Sequence, residues 1–183
     1  MSALAALAAE VATCTRCRLS ESRTQAVFAR GAPDAALVFI GEGPGAEEDR
    51  QGLPFVGRSG QLLDPGQVQV TNVVRCRPPG NRDPQEDEIV ACRPYLERQL
   101  DLVAPAVIVT LGNFAARLML DTTEGVTRLR GRTYPCRGGV LVPTYHPSFV
   151  LRNGGGDQLV QMRADFVRAK QALVAAGRYP GRA

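Results

Sequence analysis

The chain has 183 residues, 44% of them hydrophobic and 22% charged, a composition that excludes a disordered or membrane-embedded chain and allows a buried core. No apolar run is long enough to span a bilayer, and the Ala-rich start lacks the basic residues and cleavage site of a secretory signal, so the expectation is a single cytoplasmic domain over residues 1–183. The net charge of +4 is almost all arginine, Lys170 being the only lysine, and five cysteines in a reducing compartment point to metal or redox chemistry rather than a disulfide framework.

In chain order, residues 2–11 have helical spacing and run into Cys14-Thr15-Arg16-Cys17. This C-x-x-C pair follows a helix, which weakens a thioredoxin-like reading and leaves zinc and iron-sulfur chemistry open. Residues 18–34 read as an irregular polar approach. Leu37 to Ile40 then form a buried strand that breaks into Gly41-Glu42-Gly43-Pro44-Gly45, a loop where a ligand could reach backbone amides that a Cβ would shield. After the acidic turn Glu47-Glu48-Asp49, Phe55 sits between Pro54 and Gly57 and is either a loop staple or a stacking platform. Gly57, Ser59 and Gly60 precede Leu62-Leu63 as the start of a helix with free N–H groups would.

Residues 68–74 form the second strand, carrying Asn72, whose buried amide must find a partner either in a neighbouring loop or in a ligand. Cys76 and the rigid loop Pro78 to Pro84 follow. Ile89, Cys92, Leu96 and Leu100 share one face of a helix over residues 86–100. A third strand over 106–111 ends at Gly112-Asn113 before a helix over 114–120, and a basic connector over 128–132 leads to the fourth strand, 140–145. That strand ends at His146, the only histidine, with Pro147 and Ser148, and an amphipathic helix over 158–176 closes the chain.

Four apolar segments, each followed by a turn and mostly by a helix, predict an α/β fold, a doubly wound sandwich with a parallel central sheet. One rim would then gather the Gly41–Gly45 loop, Asn72, Gly112-Asn113 and His146-Pro147. Arg58, Arg75, Arg77, Arg82 and Arg152 lie beside those loops, where phosphate contacts would need them. Cys14, Cys17, Cys76 and Cys92 could hold zinc or an iron-sulfur cluster, and the lack of a second tight C-x-x-C knuckle favours the cluster. Cys136 has no partner at ligand spacing and reads as a small buried apolar side chain.

The combination Gly41-Glu42-Gly43-Pro44-Gly45-Ala46-Glu47-Glu48-Asp49, Pro54-Phe55-Val56-Gly57, residues 71–79 and His146-Pro147-Ser148 resembles the family 4 uracil-DNA glycosylases, in unbroken order from Cys14 to about Asn153. The resemblance implies a three-layer α/β/α sandwich with a central four-stranded parallel sheet, and a 4Fe-4S cluster on Cys14, Cys17, Cys76 and Cys92 with a structural role. It implies a repair enzyme, acting as a monomer on uracil-containing DNA, that flips the base out and hydrolyses its glycosidic bond. Phe55 would stack on the uracil, Asn72 read its edge, His146 contact O2, and Gly41 and Gly43 line the base pocket. Glu42 would place the water or the sugar, and Glu48 would bar thymine beside Gly45. Arg58, Ser59, Gly60, Pro147, Ser148 and Arg152 would grip the flanking phosphates, with Val150 or Leu151 as the apolar wedge that fills the vacated stack.

Those roles suit the chemistry. Flipping costs a few kcal/mol, which stacking on Phe55 helps to offset. Asn72 can accept from uracil N3–H while donating to O4, a polarity that cytosine reverses. A neutral His146 donating to O2, with a Gly43 amide, would meet the charge that develops there. Two departures stand out. Residues 64–68 leave room for only about one turn of the helix that relatives place before the second strand, as though a segment were deleted or missing, and the Pro78–Pro84 loop has no histidine to trap the sugar, which predicts turnover without a stable adduct. The readings from other classes are a non-catalytic iron-sulfur module that binds DNA or senses lesions, and an electron-transfer protein built on the four cysteines.

Overall fold

The computed structural model describes residues 2–57 and 67–179. Its elements in order are α1 (Ala3–Ala12), α2 (Leu19–Ser22), β1 (Arg30–Gly31), β2 (Leu37–Gly41), α3 (Ala46–Gln51), β3 (Gln69–Asn72), α4 (Glu86–Val103), β4 (Val107–Leu111), α5 (Asn113–Leu120), α6 (Val126–Leu129), β5 (Tyr134–Cys136), β6 (Gly139–Thr144), α7 (Pro147–Arg152) and α8 (Gly156–Ala175). A 3₁₀ turn, Pro79–Asn81, lies in the proline-rich loop.

The sheet has six strands in the order β1-β3-β2-β4-β6-β5. Its centre, β3-β2-β4-β6, is the expected four-stranded parallel sheet, with Gly41 paired to Asn72 and Leu111 to Thr144. The count of four is corrected by two short antiparallel edges. Neither β1 nor β5 is long enough to show an alternating pattern. The β5–β6 hairpin turns on Arg137 and Gly138 at φ 49° and 77°, a geometry usually advertised by Asn-Gly.

Strand alternation sends successive side chains to opposite faces, each covered by helices. On one face Val38, Ile40, Ile108 and Leu141 pack against Leu7 and Val11 of α1, Leu96 and Leu100 of α4 and Ala115 of α5. On the other, Phe39, Val109 and Val142 meet Val126 of α6, Val150 of α7 and Met162, Ala169 and Leu173 of α8. This is the three-layer α/β/α sandwich. After β2 the chain places β3 on one side and β4 on the other, so a crevice opens at the carboxyl ends of the strands, where doubly wound sheets bind ligands. The helix expected at Leu62-Leu63, the short connection at residues 64–66 and the candidate DNA contacts Arg58, Ser59 and Gly60 lie outside the described residues.

Candidate active site and cysteine cavity

A cavity of about 610 Å³ occupies that crevice, and Glu42, Gly43, Glu48, Phe55, Asn72, His146, Ser148 and Arg152 are among the residues lining it. The main chain explains how they meet. Asn72 ends β3 beside Gly41, and a Cβ on Gly41 would lie 2.5 Å from both Asn72 Oδ1 and Phe55 Cζ. Only glycine leaves room for the amide and the ring to sit side by side. Phe55 takes a positive φ of 55° at the turn after α3, a conformation costly for an aromatic residue. The Glu48 carboxylate holds that turn in place by accepting from Gly57 N at 2.8 Å and from Gly45 N at 3.1 Å, joining two loops that border the cavity.

Asn72 is 2% exposed, and among the described residues its side-chain amide has no hydrogen-bond partner. The expectation of a neighbouring loop as its partner is therefore not met, and the amide faces the cavity. His146 stands opposite, its ring centroid 6.3 Å from that of Phe55. It caps α7: its Nδ1 accepts from Ser148 N at 3.2 Å and lies 2.8 Å from Ser148 Oγ, toward which Arg152 Nη1 donates at 3.4 Å. Arg152 can only donate, so the hydroxyl hydrogen turns to Nδ1, which leaves the imidazole proton on Nε2. Burial, with the nearby Arg152 charge, pushes the His146 pKa down to about 4, so the ring is neutral. Gly112, at φ +90°, permits this placement, since its Cβ would come within 3.2 Å of the His146 Cβ.

Glu42 is the other group with a displaced proton affinity. Burial raises its carboxyl to about 7, and the charge of Asp83 on the opposite rim adds to the effect.

Several expected contacts are not as the sequence suggested. Val150 is buried in the core under α7 and cannot be a wedge, whereas Leu151 is 45% exposed at the rim. Pro147 has no N–H and the Ser148 amide is committed to His146, so this pair supports the histidine in place of offering a free phosphate site. Arg82 is taken up by a two-point pair with the buried Glu88, at 2.9 and 2.6 Å. Arg75 is not at the surface at all but fully enclosed. Cys136 is half-buried against the α1/α4 core.

Other supporting residues left little trace in the sequence. Asn113 Oδ1 accepts from Val126 N at 2.8 Å and ties α5 to α6 at the cavity wall. Beneath the His146 turn, the buried Asp165 accepts from Thr144 Oγ1 at 2.8 Å and from Arg130 Nε and Nη2, both at 2.9 Å. A carboxylate among Met162, Ala169 and Leu173 on the apolar face of α8 was the available signal.

A second, smaller cavity of about 20 Å³ lies between α1, α4 and the segment after β3. Cys14, Cys17, Cys76 and Cys92 all line it. Among the described residues no group of three or more metal-binding side chains is gathered tightly enough for a single ion. Polar hydrogens converge on them: Arg75 N lies 3.3 Å from Cys92 Sγ, Arg16 N 3.5 Å from Cys14 Sγ and Arg23 Nη1 2.9 Å from Cys76 Sγ. Four thiols, three of them met by N–H donors, are a donor set suited to an anionic metal-sulfur group.

Comparison with known proteins shows the family. A model described as the uracil DNA glycosylase superfamily matches residues 28–173. A type-4 uracil-DNA glycosylase of Sulfurisphaera tokodaii is 39% identical over 98% of this chain and 89% of its own length. Another from Thermotoga maritima is 40% identical over 89% of this chain and 91% of its own. The chain belongs to the type-4 uracil-DNA glycosylase family. A type-5 uracil-DNA glycosylase of Mycobacterium leprae is also similar, at 36% over 66% of the chain, and covers less of both partners than the type-4 members do. No helix among the described residues is long and apolar enough to cross a membrane.

Proposed function

We propose that this chain removes uracil from DNA by flipping the base into the 610 Å³ cavity and hydrolysing its glycosidic bond to leave an abasic site. The carrying observation is the buried Asn72 amide, unpartnered among the described residues, in one hollow with the Phe55 ring and the free Nε2–H face of His146. Phe55 stacks on the base. Asn72 accepts from N3–H and donates to O4, and Gly41 and Gly43 leave the backbone bare where the ring edge must approach. Glu48 fixes the Phe55 loop and presents its carboxylate where a thymine methyl would enter.

As the N1–C1′ bond breaks, its electron pair moves onto uracil and negative charge grows at O2. The Nε2–H of a neutral His146 donates to that oxygen. Glu42, once ionised, orients water toward C1′ and takes its proton as the C–O bond forms. Arg152 and Leu151 face the flanking backbone and the vacated stack, with Arg58, Ser59 and Gly60 as further phosphate contacts. Cys14, Cys17, Cys76 and Cys92 hold a 4Fe-4S cluster, which when bound cross-links the amino-terminal segment to α4 and β3 and takes no part in bond cleavage. The enzyme acts as a monomeric single domain in a reducing cytoplasm, where its five cysteines stay free of disulfides.

The test is incubation of anaerobically purified protein with a uracil-containing oligonucleotide, followed by alkali. Strand cleavage at the uracil position is expected, with no protein-DNA adduct surviving denaturation. Tight binding without alkali-labile sites would instead favour a lesion-sensing module.

A further inference from the structure

Arg75 is 1% exposed, and no carboxylate lies within ion-pair distance of it among the described residues. Its guanidinium donates to neutral acceptors only: the Phe28 carbonyl at 2.8 Å, Gln99 Oε1 at 2.6 Å and Thr71 Oγ1, while Nε is buried without a partner. The Phe28 ring lies below it, 5.3 Å from the guanidinium carbon. An enclosed cation without a counter-charge is strongly destabilising, because its lost hydration is not replaced. The groups near it that can become anionic are Cys92 and Cys76.

A second cation reaches the same cavity. Arg23 Nη1 donates to Cys76 Sγ at 2.9 Å, and its Nη2 donates to the carbonyls of Ala12 at 3.1 Å and Cys14 at 2.8 Å. It likewise has no carboxylate within ion-pair distance among the described residues. Two arginines without acidic partners therefore flank four cysteines, in a chain whose other enclosed arginine pair, Arg130 with Asp165, is fully matched. Four thiolates around an iron-sulfur core leave a net anion.

We propose that Arg75 and Arg23 are the counter-charges of the group held by Cys14, Cys17, Cys76 and Cys92, so that the fold around Arg75 depends on that group's negative charge. This rests on the cluster proposed above. It also gives a physical route from cluster to pocket, since Arg75 is bonded to Thr71, the neighbour of Asn72 on β3. Loss of the cluster would strand the Arg75 charge beside the strand that carries the base-reading amide.

The experiment compares the anaerobically purified full chain with Arg75→Met, Arg75→Lys, Arg23→Gln and Arg23→Lys. Iron per chain, the rate at which a chelator bleaches the visible cluster absorption, and the cluster's reduction potential are measured. Arg75→Met and Arg23→Gln are expected to lose the cluster about tenfold faster than wild type, the usual size of an outer-shell loss. Their couples should move to lower potential, because removing a positive charge disfavours the added electron. The lysine variants should lie nearer wild type. Once the cluster is stripped the order should reverse, Arg75→Met retaining more circular dichroism than wild type, an outcome that a merely structural arginine would not produce. Iron-loaded wild type with charge-removing variants that hold the cluster as long, or a lysine variant no better than its neutral counterpart, overturns the inference. Should Arg75→Met fail to fold, the Arg23 pair decides by the same readings. Wild-type protein devoid of iron would overturn the cluster reading itself, and this one with it.

Discussion

Two hollows lie on the segment around β3, and they are built on opposite plans. The rim cavity, about 610 Å³, is open and lined by polar groups that the protein leaves incomplete: the Asn72 amide, the Nε2–H of His146, a Glu42 carboxyl near its midpoint. The cysteine cavity, about 20 Å³, is small, and what it leaves incomplete is charge, in the enclosed Arg75 and the half-buried Arg23. An unpaired amide costs roughly 1 to 3 kcal/mol and can be tolerated between visits of a ligand that comes and goes. An unpaired buried cation costs several kcal/mol and suits a group that stays. The kind of deficit left in each wall thus distinguishes the proposed substrate site from the proposed cofactor site.

Substitutions at the rim should therefore remove activity while leaving the visible absorption of the cluster intact. The largest effect is expected for Asn72→Asp, which keeps the shape but replaces the donor toward O4 with an acceptor. Excision of uracil should fall by about 10³-fold or more, since a buried mismatch at a reading group is rarely bridged by water. Affinity for DNA at matched salt should change little. Next is His146→Ala. Removing one donor at a developing oxyanion costs about 10² to 10³ in turnover. Single-turnover rates should show this loss with Kd within about twofold of wild type, because phosphate contacts dominate binding. Equal losses in rate and affinity would mean that His146 only shapes the surface. Loss of cluster absorption in either variant would erase the distinction between the hollows.

The sequence was most legible where one rule governed a residue. The four central strands were readable because parallel strands buried on both faces are short apolar runs, and the rim loops because glycines mark where each run breaks. Both edge strands were hidden, since two or three residues carry no period and Arg137-Gly138 is an unusual hairpin turn. At the site, Phe55, Asn72 and His146 could be named because each was an odd residue for its surroundings. What could not be named was commitment. Nothing in the pattern indicates that Ser148 turns toward His146, that Arg82 is consumed by Glu88, or that Arg75 lies inside rather than out. Val150 and Leu151 are neighbours of the same character, and only the register of α7 on the sheet buries one and exposes the other.

The smallest expected effect sharpens the comparison through pH. In the rim hollow, burial moves two groups apart: His146 falls to about 4 and Glu42 rises to about 7. If activity needs neutral His146 and ionised Glu42, the acid limb of kcat/KM belongs to Glu42, and the rate should fall about tenfold per unit below pH 7 with no break near the ordinary histidine value of about 6.5. Glu42→Gln should lower the plateau and flatten that limb together, whereas an acid limb that survives the substitution assigns the proton elsewhere. The two groups also act on folding with opposite sign. Depressed His146 binds fewer protons folded than unfolded, so its contribution is present above about 6.5 and lost as pH falls toward 4. Raised Glu42 binds more protons folded, so its contribution is present below about 4.5 and lost as pH rises through 7. His146→Ala should accordingly flatten the acid side of the stability profile and Glu42→Gln the neutral side. On the proposed mechanism pocket and fold therefore pull on the same proton in different directions: the ionised Glu42 that this mechanism needs is the form that the folded protein holds least comfortably, and a Glu42→Gln variant that melts higher than wild type at pH 8 while excising uracil more slowly would display that conflict directly.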